Sequence, residues 1–204
     1  SLIFHRISSD SEATCLSVTY RVQTDEDLDK ADAYFSAIGS DVNFVKRPFQ
    51  GRTLRIIDGV GVPLEFCAEI EQSMNRLQNF HQHSGGKLAY FDHIQIAIPD
   101  VKGAYSWYTD LGFRLTEYTA MDATDEIWGV WLKRKNNTQD VVFSNGAGPR
   151  LHHFAYHTPE VSNVIHAADV MASLGLADSM DRAPGRHGIG NAFFIYFRDP
   201  DGHR

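Results

Sequence analysis

One recurring pattern, a strand followed by a helix and three strands, constrains the fold of this chain more than any other sequence feature. Two runs rich in β-branched and aromatic residues, Tyr90–Ile98 and Arg150–His157, each carry a histidine near the start. A proline–acid pair, a helical periodicity and a Leu-Gly step follow both runs in the same order. Histidines at matched places in two copies of one repeat are what a protein needs to hold a single metal ion between paired modules.

The pattern is found in one complete early copy and two later copies. In the early copy, Thr24 precedes three acidic residues and an apolar periodicity that reaches Ile38, which predicts a capped helix. Alternating or β-rich runs predict strands around that helix at residues 16–22, 42–45, 53–57 and 64–68. The later copies are predicted as strand 91–98, helix 101–111 and strands 113–118, 127–132 and 141–143, then strand 152–156, helix 161–174 and strand 191–197.

The repeat predicts an α+β fold of tandem βαβββ modules whose sheets meet side by side to form a cup. We expect an N-terminal domain at residues 1–70, a polar connector at 71–87 and a C-terminal metal-binding domain at 88–204. Residues 1–10 resemble a strand and a turn, and the sequence stops at a turn that should lead into another strand. We therefore expect the chain to be cut from a longer protein at both ends.

Composition narrows the possible partners. A net charge of −7 argues against nucleic acids and anionic membranes, because both require basic surfaces. The apolar runs are too short for a membrane span. Cys15 and Cys67 are too few for a disulfide framework, which favours a reduced, cytoplasmic location.

His93 and His153 are the strongest candidates for metal ligands, because they occupy the same position in two copies of the repeat. Taken singly, each would more readily be explained as a core or surface residue. Imidazole suits iron, manganese, zinc and nickel alike, so the pair does not identify the ion. Since side chains alternate along a strand, we expect His152 and Asp92 to face away from these ligands, with His152 in a supporting role.

A site with two histidines needs a third ligand. When the last copy of the repeat is aligned with the early copy so that Asp199 matches Asp58, the position that matches Glu65 falls two residues beyond Arg204. We therefore expect a carboxylate ligand just after the end of this sequence. Glu65 itself has no matching histidine in its own copy of the repeat, so we interpret it as structural.

Several segments together resemble the type I extradiol ring-cleaving dioxygenases of the vicinal oxygen chelate superfamily, and among them the homoprotocatechuate 2,3-dioxygenase branch. The resemblance is carried by Phe91-Asp-His93, Gly148-Pro-Arg-Leu-His-His153, Pro184-Gly-Arg-His187-Gly, Asn191-Ala-Phe-Phe-Ile-Tyr196 and Asp199-Pro-Asp-Gly-His-Arg204. It implies a glyoxalase-like fold, and Fe(II) or alternatively Mn(II) held by His93, His153 and a glutamate beyond Arg204. It also implies O2-dependent opening of a catecholic ring, on a catechol with a carboxylate side chain such as homoprotocatechuate, by a cytoplasmic homo-oligomer (a dimer or tetramer).

The resemblance also implies roles for individual side chains. His187, in a glycine-rich loop at residues 184–190 suited to covering a site, would be catalytic. Tyr196 would hydrogen-bond a substrate oxygen, although burial alone would also explain the tyrosine. Arg182 and Trp131 would line the substrate pocket, with Arg182 placed for a carboxylate. Gln95 stands where this branch has an asparagine and could still hydrogen-bond a substrate.

Gln139 departs from the family pattern. The family has an acid–base histidine at this place, and glutamine cannot transfer a proton near neutral pH. Gln139 therefore predicts slow or altered ring cleavage, or an unusual substrate. Two alternatives stay open: another enzyme of the superfamily, such as a glyoxalase-like isomerase, and a non-catalytic protein that binds an aromatic ligand in the same cup.

Overall fold

The computed structural model describes residues 14–74 and 77–204, which form two compact units. Cys15–Met74 is one unit, and the described residues from 77 onward belong to the other. The strand expected within residues 1–10 lies outside the described residues. The predicted domain boundaries at residues 70 and 88 stay a prediction.

The unit Cys15–Met74 contains one complete copy of the repeat. Its elements are β1 (Val18–Arg21), α1 (Asp25–Ala37), β2 (Asn43–Val45), β3 (Thr53–Ile57) and β4 (Pro63–Cys67). The strand order is β1-β4-β3-β2, with β1 parallel to β4 and the other pairs antiparallel. The Thr24 side chain accepts a hydrogen bond from the backbone of Asp27, whose carboxylate accepts one from Thr24 N–H. This capping box begins α1 where the sequence predicted it.

The second unit contains the two later copies. Its elements are β5 (Tyr90–Ile98), α2 (Val101–Asp110), β6 (Arg114–Ala120), β7 (Ile127–Lys133), β8 (Val141–Asn145), β9 (Arg150–His157), α3 (Val161–Ser173), β10 (Met180–Arg186) and β11 (Phe193–Phe197). The main sheet has the order β6-β7-β8-β5-β9, and β10 and β11 form a separate antiparallel pair. The strands β5 to β8 repeat the order of β1 to β4, with β5 parallel to β8. The predicted βαβββ fold is confirmed.

The five-stranded sheet has one apolar face and one polar face. On β5, Ile94, Ile96 and Ile98 are buried, and the partner of Ile96 across the sheet is Phe143. The Phe143 ring lies 4.8 Å from the ring of Tyr108 on α2, so the helix covers this face. Because side chains alternate along a regular strand, His93, Gln95 and Ala97 point to the opposite face, which α2 does not cover.

Strand β10 was not predicted from the sequence. Its residues lack apolar alternation and include Pro184 and Gly185, which are depleted in strands. The pairing of β10 with β11 shifts register twice, so the strand is irregular as well as polar. The predicted loop at residues 184–190 is therefore partly wrong, because its first three residues end β10. No helix among residues 14–74 and 77–204 is long and apolar enough to span a membrane.

Candidate metal and substrate site

Two β-bulges shape the pairing of β5 with β9. Between them lie three regular pairs: His93 with Ala155, Ile94 with Phe154, and Gln95 with His153. Asp92 is an extra residue in β5 on one side of this segment, and His152 is an extra residue in β9 on the other side. Directly paired residues share a face of the sheet, so both candidate histidines point to the polar face.

The two histidine side chains meet at their Nε2 atoms, which lie 3.1 Å apart. The rings are nearly perpendicular, at 81°, and His153 is only 3% exposed. Two imidazole nitrogens at about 2.1 Å from one ion, in adjacent coordination positions, would be roughly 3.0–3.2 Å apart. The pair therefore fits a single first-row divalent ion. The position that the repeat predicted for both histidines is where the structure brings them together.

The expectation that Asp92 and His152 face away from the ligands is wrong. Asp92 Oδ2 lies 2.7 Å from His93 Nδ1, and His152 Nδ1 lies 2.7 Å from His153 Nδ1. Each of these residues is the extra residue of a bulge, and a bulge interrupts the alternation of side chains. The bulges place both side chains beside the histidine that follows them.

The electrostatics of the site favour a neutral His153. Burial is the main cause that lowers the pKa of His153 from 6.5 to about 2, with His93 and His152 contributing further. Burial tends to raise the pKa of Asp92, but contacts with His93, Asn137 and Lys135 together outweigh it and lower that pKa. A ligand histidine must be neutral at the coordinating nitrogen, and an ionised carboxylate at its other nitrogen orients the ring.

Both predicted glutamines lie near the histidines. The Gln139 Nε2 atom is 3.1 Å from His93 Nδ1 and 3.4 Å from His93 Nε2, so the amide lies beside this ring. Gln95 pairs with His153 across the strands and donates a hydrogen bond of 2.9 Å to Ser144 Oγ. Ser144 was not predicted as a site residue.

The β10–β11 hairpin covers part of the polar face. The Tyr196 ring is 5.0 Å from the His153 ring, and its hydroxyl is 3.5 Å from His187 Nε2. His187 also stacks on Phe194 at 4.1 Å. A Cβ atom on Gly190 would lie 3.0 Å from the carboxylate of Glu117, so the hairpin loop reaches β6 at the far edge of the sheet. Burial raises the pKa of Tyr196 and lowers that of His187.

Strand pairing gives the positions of Arg182 and Trp131. Arg182 is paired with Tyr196 on the hairpin and is exposed to solvent. Trp131 occupies a row of paired residues that continues through Val142 and Gln95 to His153. It therefore shares their face, at three strand spacings or about 14 Å from His153.

A cluster of charged side chains that was not predicted supports His152. Arg204 donates to His152 Nε2 at 3.0 Å through Nη1, and its Nη2 lies 2.7 Å from Asp181 Oδ2. Arg198 contacts the other carboxylate oxygen of Asp181. The guanidinium of Arg204 also lies 5.5 Å from the centre of the Tyr196 ring. Isolated charged residues carry no spacing signal, so this cluster could not be predicted from the sequence.

The described residues do not contain a complete metal centre. Among them, no group of three or more histidine, cysteine, aspartate or glutamate side chains is arranged to hold a metal ion. The turn that precedes the end of the chain does match the turn before β4. Asp199 Oδ1 and Asp58 Oδ1 each accept hydrogen bonds from the second and fourth backbone N–H groups that follow. The alignment of Asp199 with Asp58 therefore holds in the structure.

Comparisons with known proteins agree with this geometry. The model of the Glyoxalase/Bleomycin resistance protein/Dioxygenase superfamily matches residues 90–204. Manganese-dependent 2,3-dihydroxybiphenyl 1,2-dioxygenase of Geobacillus genomosp. 3 is 28% identical over 92% of this chain and 64% of its own length. Metapyrocatechase of Pseudomonas sp. (strain CF600) is 29% identical over 59% of this chain and 39% of its own length.

Solved structures are similar over almost all of the chain. A variant of homoprotocatechuate 2,3-dioxygenase from Brevibacterium fuscum, in complex with HPCA, has a TM-score of 0.88 and 37% identity. The match covers 95% of this chain and 54% of the B. fuscum enzyme chain. The native homoprotocatechuate 2,3-dioxygenase of Arthrobacter globiformis has a TM-score of 0.87 and 34% identity. This match covers 95% of this chain and 61% of the A. globiformis chain. The chain thus spans less than two thirds of each of these relatives. The predicted resemblance to extradiol dioxygenases is confirmed.

Proposed function

Because the chain belongs to the Glyoxalase/Bleomycin resistance protein/Dioxygenase superfamily, we propose that its protein is a metal-dependent extradiol dioxygenase that opens a catecholic ring with O2. The observation that carries this proposal is the pair of Nε2 atoms, 3.1 Å apart, of His93 and His153. They lie on the polar face of the sheet beside the hairpin that bears Tyr196 and His187. Relatives named as extradiol dioxygenases support the reaction type.

His93 and His153 would hold the metal through Nε2, with Asp92 orienting His93 through its Nδ1 atom. Fe(II) or Mn(II) suits a site of two imidazoles and one carboxylate with open positions, and it would supply a common binding point for the catechol oxygens and O2. Manganese is favoured by the name of one relative, and iron is the alternative.

We propose that the third ligand is a carboxylate at the second position after Arg204. Two equivalent hydrogen bonds give the register of the missing strand. The Phe154 N–H group donates to Arg204 O, and the Ile94 N–H group donates to Asp140 O, the residue before β8. In that earlier copy, Ile94 pairs with Val141, the residue after Asp140. By the same register, the second residue after Arg204 would lie beside Ala155.

This register would put the third ligand on the correct face. Ala155 is paired with His93, and directly paired residues share a face of the sheet. In the N-terminal copy, the matching position is Glu65, whose paired residue is Thr19. In that copy the carboxylate is paired with a cation, because Arg47 Nη2 lies 2.6 Å from Glu65 Oε1.

The remaining side chains would bind the substrate and handle its protons. Tyr196 would donate a hydrogen bond to a catechol oxygen beside His153, and the exposed guanidinium of Arg182 would bind a carboxylate side chain. Trp131, further along the face, would contact the substrate end away from the metal, and Gln95 would contribute a polar contact. Because the Gln139 amide cannot take up a proton, we assign proton transfer from the catechol to His187.

A cellular location and an oligomeric state complete the proposal. Cys15 and Cys67 are both free, which fits a reduced cytoplasmic location. We also propose that the protein is a homo-oligomer, a dimer or tetramer, as the family resemblance implies.

The proposed function is tested by anaerobic loading with Fe(II) or Mn(II), followed by O2 uptake and ring-opening assays on a panel of catechols. We expect O2 uptake matched by ring-opened product, abolished in a His93→Gln variant. His166→Gln is the matched control, because His166 is exposed on α3. Tight aromatic binding without O2 uptake would instead identify a binding protein, and conversion of a substrate without O2 an isomerase.

A further inference from the structure

A cavity lined mainly by cations lies at one end of the five-stranded sheet. Its volume is about 400 Å³, which is within the range of small-molecule sites. The lining residues come from the segment after α2, the start of β6, the end of β7 and the loop that follows β7: Gly112, Arg114, Lys133, Arg134, Lys135 and Asn136. Four of these six residues are cations, in a chain whose net charge is −7. None of them is a side chain that we assign to the metal or to the catechol.

Two of the cations face each other across the strands. Arg114 on β6 is directly paired with Lys133 on β7, so both side chains point to the same face of the sheet. Like charges in this position repel one another and destabilise a sheet. Within residues 14–74 and 77–204, neither side chain has a hydrogen-bond or ion-pair partner. An anion bound between them would offset the repulsion.

A third cation is held against the end of α2. Arg134 Nη1 donates to the carbonyl oxygens of Leu111 and Gly112, which favour a cation but do not neutralise its charge. A Cβ atom on Gly112 would lie 2.5 Å from this nitrogen. Gly39 and Gly175 follow α1 and α3 in the same way, and a Cβ atom there would meet nothing within 4 Å. Of these three glycines, only Gly112 makes room for a guanidinium.

The fourth cation is paired with a carboxylate. Lys135 Nζ lies 2.8 Å from Asp140 Oδ1 and 2.6 Å from the carbonyl oxygen of Asp92. Asp140 therefore balances the charge of Lys135. The other three cations of the cavity have no carboxylate partner in the described part of the chain. Three such charges suit an anion with two or more negative charges better than a single carboxylate.

We propose that this cavity binds a small molecule that carries phosphate groups, through Arg114, Lys133 and Arg134. Arginine binds phosphate oxygens with two parallel N–H groups, and lysine supplies a compact positive charge. A phosphate monoester carries about two negative charges near neutral pH, whereas a carboxylate carries one. None of the described lining residues is aromatic or aliphatic, so the cavity does not suit a catechol. The inference goes beyond the proposed function and does not depend on the metal.

The test uses pyrophosphate as the probe, with its binding to the full-length protein measured by titration calorimetry at constant ionic strength. Lys133→Gln and Arg114→Gln each remove one of the two facing cations. Lys102→Gln is the matched control, because Lys102 is exposed on α2 and does not line the cavity. Acetate, which carries a single charge, is the control ligand. Thermal melting without pyrophosphate checks that each variant is folded.

We expect wild type and Lys102→Gln to bind pyrophosphate with equal affinity, and much more tightly than acetate. Lys133→Gln and Arg114→Gln should each bind it about tenfold more weakly, because one hydrogen bond to a charged group is lost. Without pyrophosphate, both should melt at or above the wild-type temperature, because the repulsion is relieved. Pyrophosphate affinity that was unchanged in the folded Lys133→Gln or Arg114→Gln protein would overturn the proposal. So would wild-type binding of pyrophosphate no tighter than that of acetate.

Discussion

The Asp92→Asn substitution tests whether the first bulge residue supports metal binding. Asp92 Oδ2 accepts a hydrogen bond of 2.7 Å from His93 Nδ1, and the two side chains are only 17% and 13% exposed. Asparagine has the same shape and keeps an acceptor oxygen, but it removes the negative charge. The substitution therefore isolates the charge that makes His93 a stronger electron donor at Nε2.

The expected loss of metal affinity can be derived from this contact. A hydrogen bond to a charged group contributes about 1.5–3 kcal/mol. The short distance and low exposure favour the middle of that range, about 2 kcal/mol, and the neutral hydrogen bond that asparagine keeps retains about 1 kcal/mol of it. The expected loss is therefore about 1 kcal/mol, which corresponds to roughly a fivefold weaker affinity.

The measurement is Mn(II) affinity by chelator competition in the full-length protein. Asp110→Asn is the matched control, because Asp110 is exposed at the end of α2 and the charge change is the same. We expect Asp110→Asn to bind within twofold of wild type, about 0.4 kcal/mol. An Asp92→Asn protein that also bound within this margin would refute the role assigned to the bulge.

Three further substitutions test other parts of the molecule. Gln139→His should raise the rate of ring opening about a hundredfold if the proton relay is otherwise intact, measured by product formation under O2; no gain would indicate different chemistry. Arg182→Met should raise KM about tenfold for a catechol with a carboxylate side chain and leave KM for unsubstituted catechol unchanged. Glu65→Gln should reduce the free energy of unfolding by about 2 kcal/mol in urea, because it leaves Arg47 without its buried carboxylate partner, whereas Glu71→Gln, an exposed change, should have little effect.

The sequence predicted most of the fold because the repeat has strong local signals. Periodicity located α1, α2 and α3 to within a few residues, and Thr24 capped the first of them as expected. Strand β10 could not be predicted, because its pairing with β11 is irregular and its side chains do not alternate in polarity.

The matched places of His93 and His153 in the repeat predicted that they lie together, as they do in the structure, and their role as metal ligands stays a prediction. The sequence prediction failed for side chains whose direction is decided by local geometry. Asp92 and His152 were assigned to the wrong side, because an extra residue in a strand is visible only once its partner strand is known. Arg204 reaches His152 across 52 residues of sequence, a contact that no local pattern encodes.

The two bulges between β5 and β9 compensate each other. Each strand contains one extra residue, so Tyr90 with His157 and Ala97 with Arg150 keep the same register on either side of the site. Deleting only Asp92 or only His152 would shift one end of the pairing by a residue and turn its side chains to the wrong face. Deleting both would restore a regular ladder. Insertions and deletions in β5 and β9 are therefore coupled. A related protein could lose the bulges and keep the register of the sheet only by deleting one residue from each strand.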